Sequence, residues 1–155
     1  MVVHRLDGLH DYVRHLQGNP GEVDALFQDV LINVTSFFRN PDAYDALKTT
    51  VFPPLTEARS RQEPVRIWAL GCSTGEEAYS LAMAFTEYVE QAGRPVDAQI
   101  FATDLNGSGI DRARTGIYSK GVIQDVSPER LRRFFVESGG SYRIAKKIRD
   151  MLRRA

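Results

Sequence analysis

Apolar positions follow a helical period over the first third of the chain and a strand-like one after it. Val23, Leu26, Phe27 and Val30 fall on one face of a helix predicted from Pro20 to about Leu31. An earlier helix, about Asp7 to Leu16, is expected to stop at Gly18, a suitable C-cap. A third runs from Pro41 to about Thr50 with Tyr44 and Leu47 inward. Phe52-Pro53-Pro54-Leu55 should break it, with a short helix then reaching toward Arg61. Asn19-Pro20, Asn40-Pro41 and Ser127-Pro128 share one starting device. The side-chain oxygen can accept an orphan N–H, and proline fits the first turn. Val65-Arg66-Ile67-Trp68-Ala69-Leu70 is a β-rich run ending at glycine, which predicts a buried strand. Gly75 to about Gln91 is amphipathic, with Ala78, Leu81, Ala82, Phe85 and Val89 as its core stripe. Gln99-Ile100-Phe101-Ala102-Thr103 is a second strand, and Ser108 to Arg114 a short helix. Strand, helix, strand at this spacing is a βαβ unit, so the strands should be parallel with a right-handed crossover. The expected fold is α/β: a helical domain over residues 1–62, then part of a sheet domain over 63–155. Ser141-Tyr142-Arg143-Ile144 and Lys147-Ile148-Arg149 fit a hairpin or a helix equally well.

Composition adds limits. Of 155 residues 43% are hydrophobic, enough for a core, and no apolar run approaches the ~20 residues of a membrane helix. The N-terminus lacks a signal-peptide pattern, and Cys72 is the only cysteine, with no metal-ligand spacing around it. A cytoplasmic protein without membrane insertion or bound metal is expected. The net charge of zero hides an asymmetry: −7 up to Ile110 and +7 from Asp111 onward. A basic segment can meet an acidic partner, a nucleic acid or a membrane surface, or it can balance the acidic part of its own chain. The last is the simpler reading, and no nucleic-acid partner is expected.

Candidate chemistry gathers at Leu70-Gly71-Cys72-Ser73-Thr74-Gly75-Glu76-Glu77, where the first strand meets the long helix. Its glycines permit tight geometry and close approach by a ligand at the strand's carboxyl end, where open α/β sheets bind ligands. It is neither G-x-G-x-x-G nor a P-loop, and two acidic residues at the helix start would repel a phosphate and welcome an ammonium group. Thr74 and Glu77 have capping-box spacing, which leaves Glu76 as the ligand contact. Asp104 directly follows the second strand and could bond ribose hydroxyls, since Asn106 and Ser108 are better placed to cap the next helix. Cys72 reads as a packing residue. In Asn33-Val34-Thr35-Ser36-Phe37-Phe38-Arg39 the phenylalanines could form a lid or simply core. Arg39 could bind a carboxylate or lie idle on the surface.

Taken together, N-V-T-S-F-F-R at 33–39, R-I-W-A-L-G-C-S-T-G-E-E-A-Y-S at 66–80, I-F-A-T-D-L at 100–105 and A-R-T-G-I-Y at 113–118 resemble the CheR family. These are chemotaxis receptor glutamate O-methyltransferases that use S-adenosylmethionine. The order and spacing match from about Leu26 to Met151, and S-P-E-R-L-R-R-F-F at 127–135 fits as well, including in members fused to a methylesterase. The resemblance implies a helical domain on a Rossmann-like methyltransferase domain. It implies that Asn33, Thr35 and Arg39 meet the cofactor from the helical side, with Arg39 also the candidate catalytic residue. It further implies that Gly71, Ser73 and Gly75 form a backbone cradle, that Glu76 contacts the methionine part and Asp104 the ribose, and that the product is S-adenosylhomocysteine. The implied partner is a receptor's cytoplasmic domain, although the helical part is not notably basic. The family's asparagine-leucine motif and R-N-x-x-I-Y string do not follow, so a truncated chain is expected, with weak cofactor binding, little or no turnover, and exposed edges that favour homo-oligomers or poor solubility. The competing reading is a catalytically inactive module that docks on a receptor or signalling partner.

Overall fold

The computed structural model describes residues 8–31, 34–57 and 63–153. They fall into two compact units, one ending at residue 32 and one beginning at residue 33. The first holds α1 (Leu9–Gly18) and α2 (Pro20–Val30). The Tyr12 hydroxyl donates to a Glu22 carboxylate oxygen at 3.0 Å across the pair. The predicted α2 stripe is correct in period, but Val23, Phe27 and Val30 stay exposed.

The second unit starts with residues 34–40, then α3 (Pro41–Ala46), a π-helical turn (Leu47–Val51) and α4 (Phe52–Glu57). The expected break at Pro53-Pro54 does not occur. The π turn, in which the Phe52 N–H donates to the Leu47 carbonyl five residues back, widens the helix just before the prolines, and the helix continues through both. The end near Arg61 lies outside the described residues. Two of the three cap expectations also need correcting. Asn19 and Asn40 make no side-chain cap bond, so proline's preset φ alone starts α2 and α3, whereas Ser127 does accept the Arg130 N–H.

The sheet is parallel. β1 (Val65–Leu70) pairs with β2 (Ala98–Thr103), and β2 with a third short strand, β3 (Leu152–Arg153), in the order β1-β2-β3. α5 (Glu76–Gln91) is the crossover and covers one face. β1 was expected to be a buried strand; instead Val65 and Ala69 are buried while Arg66, Trp68 and Leu70 are exposed. Between β2 and β3 the chain forms α6 (Gly107–Thr115), then β4 (Ile117–Ser119), α7 (Val122–Asp125), α8 (Pro128–Phe134), β5 (Phe135–Ser138), β6 (Ser141–Ile144) and α9 (Lys146–Arg149). The last three strands make a separate antiparallel sheet, ordered β4-β6-β5. Gly139 and Gly140, both at positive φ, supply the two-residue turn that makes residues 135–144 a hairpin; 146–149 is a turn of helix.

Phe37, Phe38, Tyr44 and Phe52 share one buried cluster with Val65, Ala82, Phe85 and Ile100. Residues 34–57 therefore pack with the sheet, and the division between compact units lies at 32/33 rather than at the composition change near 62. The charge asymmetry has a local explanation within this unit. Basic side chains of α8 and α9 meet the acids of α5: Arg130 pairs with Glu87, and Arg133 and Lys147 with Glu90.

Candidate functional site

The loop from β1 to α5 is set by local backbone geometry. Gly71 (φ +67°) and Gly75 (φ +97°) take left-handed conformations that only glycine adopts freely. Their surroundings differ. A Cβ on Gly71 would meet nothing within 4 Å, so this side of the loop is open to a ligand. A Cβ on Gly75 would lie 2.8 Å from the Ala113 Cβ and 3.1 Å from the Tyr118 hydroxyl, so this glycine lets α6 and β4 close on the loop. Ser73 is also left-handed, at φ +49°. Its N–H donates to Asp104 Oδ2 at 2.7 Å, while Asp104 Oδ1 accepts the Asn106 N–H at 2.7 Å. The two strand-end loops are thereby joined through one half-buried carboxylate. Asn106, as expected, caps α6 through the Gly109 N–H.

The capping box expected at Thr74 does not form: Gly75 is the N-cap of α5, with no side-chain cap bond. The Thr74 hydroxyl instead donates to Glu76 Oε2 at 2.6 Å and fixes the carboxylate at the mouth of the loop. Thr74 is held in turn, because its carbonyl accepts the Tyr118 hydroxyl at 2.8 Å. Burial, with the nearby Glu76 carboxylate adding to it, pushes the Tyr118 phenol up, so it stays a donor at any working pH. Cys72 is buried, and burial first and Asp104 second push its thiol up to about 11, which makes it inert packing.

The segment before α3 is tied to the same helix turn. Phe37 and Phe38 are core, 3% and 6% exposed. Phe38 sits at φ +49°, and its N–H donates to Ser80 Oγ at 3.0 Å. Ser80 donates back to the Glu76 carbonyl at 2.7 Å. Arg39, the next residue, is exposed, and one guanidinium N–H donates to the Val34 carbonyl at 3.1 Å. Thr35 is half-buried, and Asn33 lies outside the described residues. The structure thus joins Ser73 to Asp104 and Thr74 to Glu76, and brings the Phe38-Arg39 turn beside the start of α5. Sequence reasoning missed Thr74, Ser80 and Tyr118 as supports. Ser80, four residues after Glu76 on a helix, carried the one readable signal, since serine there commonly bonds the carbonyl a turn back.

Comparison with known proteins follows the same residues. The sequence model of the CheR methyltransferase SAM-binding domain matches residues 33–154. An uncharacterised 104.1 kDa protein of Rhodobacter capsulatus is 38% identical over 98% of the chain and 16% of its own length. The chemotaxis protein methyltransferase of Listeria monocytogenes is 36% identical over 92% of the chain and 52% of its own length. That of Escherichia coli is 32% identical over 91% and 47%. The chain thus spans about half the length of these two methyltransferases. The cofactor of the matched domain is S-adenosylmethionine, and the residues present fit it. The open side of Gly71 admits a ligand, and the fixed Glu76 carboxylate suits an ammonium group. Asp104 spends one bond on each oxygen and keeps accepting capacity for hydroxyl donors. Among the described residues no helix is long and apolar enough to cross a membrane, and no cluster of ligating side chains could hold a metal.

Proposed function

The chain belongs to the CheR methyltransferase family, and from that premise we propose that it holds S-adenosylmethionine at the carboxyl ends of β1 and β2 for methyl transfer to glutamate side chains of a chemotaxis receptor. The observation that carries this reading is the bonded set at the strand ends: Ser73 on Asp104, and Thr74 on Glu76. Glu76 accepts the cofactor's ammonium group, Asp104 accepts its ribose hydroxyls, and the backbone from Gly71 to Gly75 forms the wall between them. Arg39 spends one of its five N–H donors on Val34 and turns others to a carboxylate. Asn33 and Thr35 complete the cofactor side.

When bound, the cofactor supplies an electrophilic methyl group on a sulfonium sulfur. A glutamate carboxylate is ionised near pH 7, so these residues need not remove a proton. Their work is alignment of the acceptor oxygen with the methyl group, and exclusion of water. This agrees with a site rich in positioning bonds and without an activated nucleophile.

Calorimetry with S-adenosylhomocysteine tests the cofactor half. We expect binding by the chain and loss of about ten-fold or more in affinity for Glu76→Gln or Asp104→Ala, the scale of a charge-assisted bond. Equal affinity in both variants would sink the assignment. Radiolabelled methyl transfer to receptor-containing membranes tests the other half. Binding to a receptor peptide with neither transfer nor S-adenosylhomocysteine binding would favour the docking-module reading.

A further inference from the structure

We propose that Arg130 of α8 is a positioning residue for the cofactor-side turn at Phe38-Arg39, acting through the ring of Phe38; this rests on the reading of Arg39 given above. The guanidinium carbon lies 3.8 Å from the Phe38 ring centroid. The same guanidinium is fixed by a two-pronged bond to Glu87 of α5, Nε to Oε1 at 2.6 Å and Nη2 to Oε2 at 2.8 Å. Lys48, from the π turn, pairs with the same carboxylate. The Tyr44 ring meets the Phe38 ring edge-on with centroids 5.0 Å apart. Two elements, α8 and α3, therefore meet on the Phe38 ring, while α5 and the π turn hold the Arg130 end of the clamp.

The reason such a clamp is needed lies in the backbone. Phe38 occupies the left-handed region at φ +49°, which costs a bulky L-residue free energy and persists only where the surroundings over-determine it. The N–H bond to Ser80 fixes the main chain, and Arg130 with Tyr44 fixes the ring. If the ring is released, the turn can relax to an ordinary conformation, and Arg39 swings with it. Lysine cannot replace Arg130 in this role. It keeps the charge for Glu87 but has no planar face to lay on the ring and no fork to hold that face in place.

The test is Arg130→Lys in the full chain, with Phe38→Leu as a second variant. Amide exchange at Phe38, followed by NMR, should rise about ten-fold in Arg130→Lys, the size of a desolvated cation–π contact, while the α5 amides stay protected. Affinity for S-adenosylhomocysteine should fall by a similar factor, with little change in the thermal midpoint; Phe38→Leu should lose the same affinity with a lower midpoint, because it also truncates a core side chain. A purely structural ion pair would be rescued by lysine and would leave both readings at wild-type values. Unchanged exchange at Phe38, or faster exchange with unchanged affinity, overturns the proposal. If the wild-type chain binds no S-adenosylhomocysteine, the cofactor reading is what fails, and exchange at Phe38 alone then decides whether Arg130 holds the turn.

Discussion

Two glycines of one loop differ in what they require. Gly71 requires only its dihedral angle, whereas Gly75 combines a φ of +97° with no room for a methyl group. Gly75→Ala should therefore destabilise the fold by about 2–4 kcal/mol, adding left-handed strain to overpacking against Ala113. Gly71→Ala should cost only the strain, about 1–2 kcal/mol. Urea unfolding of the two variants checks the difference; equal losses would show that the Ala113 contact is easily relieved. Glu76 and Asp104 were legible as carboxylates at a strand's carboxyl end because position alone decides their access. Thr74 was misread as a cap. Its spacing to Glu77 suits a capping box, but Gly75 takes the cap position and the hydroxyl bonds Glu76 instead.

At the scale of elements, α5 joins the molecule through charge as well as packing. Glu87 is largely shielded from solvent. Burial by itself would raise its carboxyl, but the bonds from Arg130 and Lys48 outweigh that and hold it at about 2. A carboxylate lowered on folding adds stability at pH values above its unfolded range, and that stability drains away as pH falls through the folded value. Glu87→Gln should be less stable than wild type by about 1–3 kcal/mol at pH 7, because it leaves Arg130 without its anion. The gap should close between about pH 4.5 and pH 2 as the wild-type carboxylate protonates. Urea midpoints across that range read it directly, and a pH-independent gap would mean that packing, not charge, carries the effect. The βαβ unit was readable because period two and period 3.6 alternate cleanly there. β3 was not, because two residues give no period and its place comes only from pairing with β2. The continuous run from α3 to α4 was hidden for a related reason, since a π turn leaves no trace in apolar spacing.

On the scale of the whole molecule, part of the opposed charge of the two sequence segments is paired internally. Arg130 and Arg133 of α8 and Lys147 of α9 place their cations on α5 carboxylates. The open feature is apolar instead. α5 covers one face of the β1-β2-β3 sheet, while on the other Trp68 is 66% and Leu70 65% exposed, above a shallow groove of about 410 Å³ between Trp68 and Phe101. Among the described residues β1 also pairs on one side only. A six-residue edge with bare aromatic and aliphatic side chains is a template for another strand or sheet face. This chain, in isolation at about 100 µM, should therefore self-associate, within the concentration range where exposed edges drive association. Trp68→Lys, which puts a charge in the middle of that edge, should shift light scattering toward the monomer mass without disturbing the Thr74–Glu76 bond on the loop beyond the strand. Trp68 emission should also move to shorter wavelength as wild-type concentration rises, because association removes the indole from water. A monodisperse wild-type monomer with concentration-independent emission would show that the bare face is tolerated as it stands.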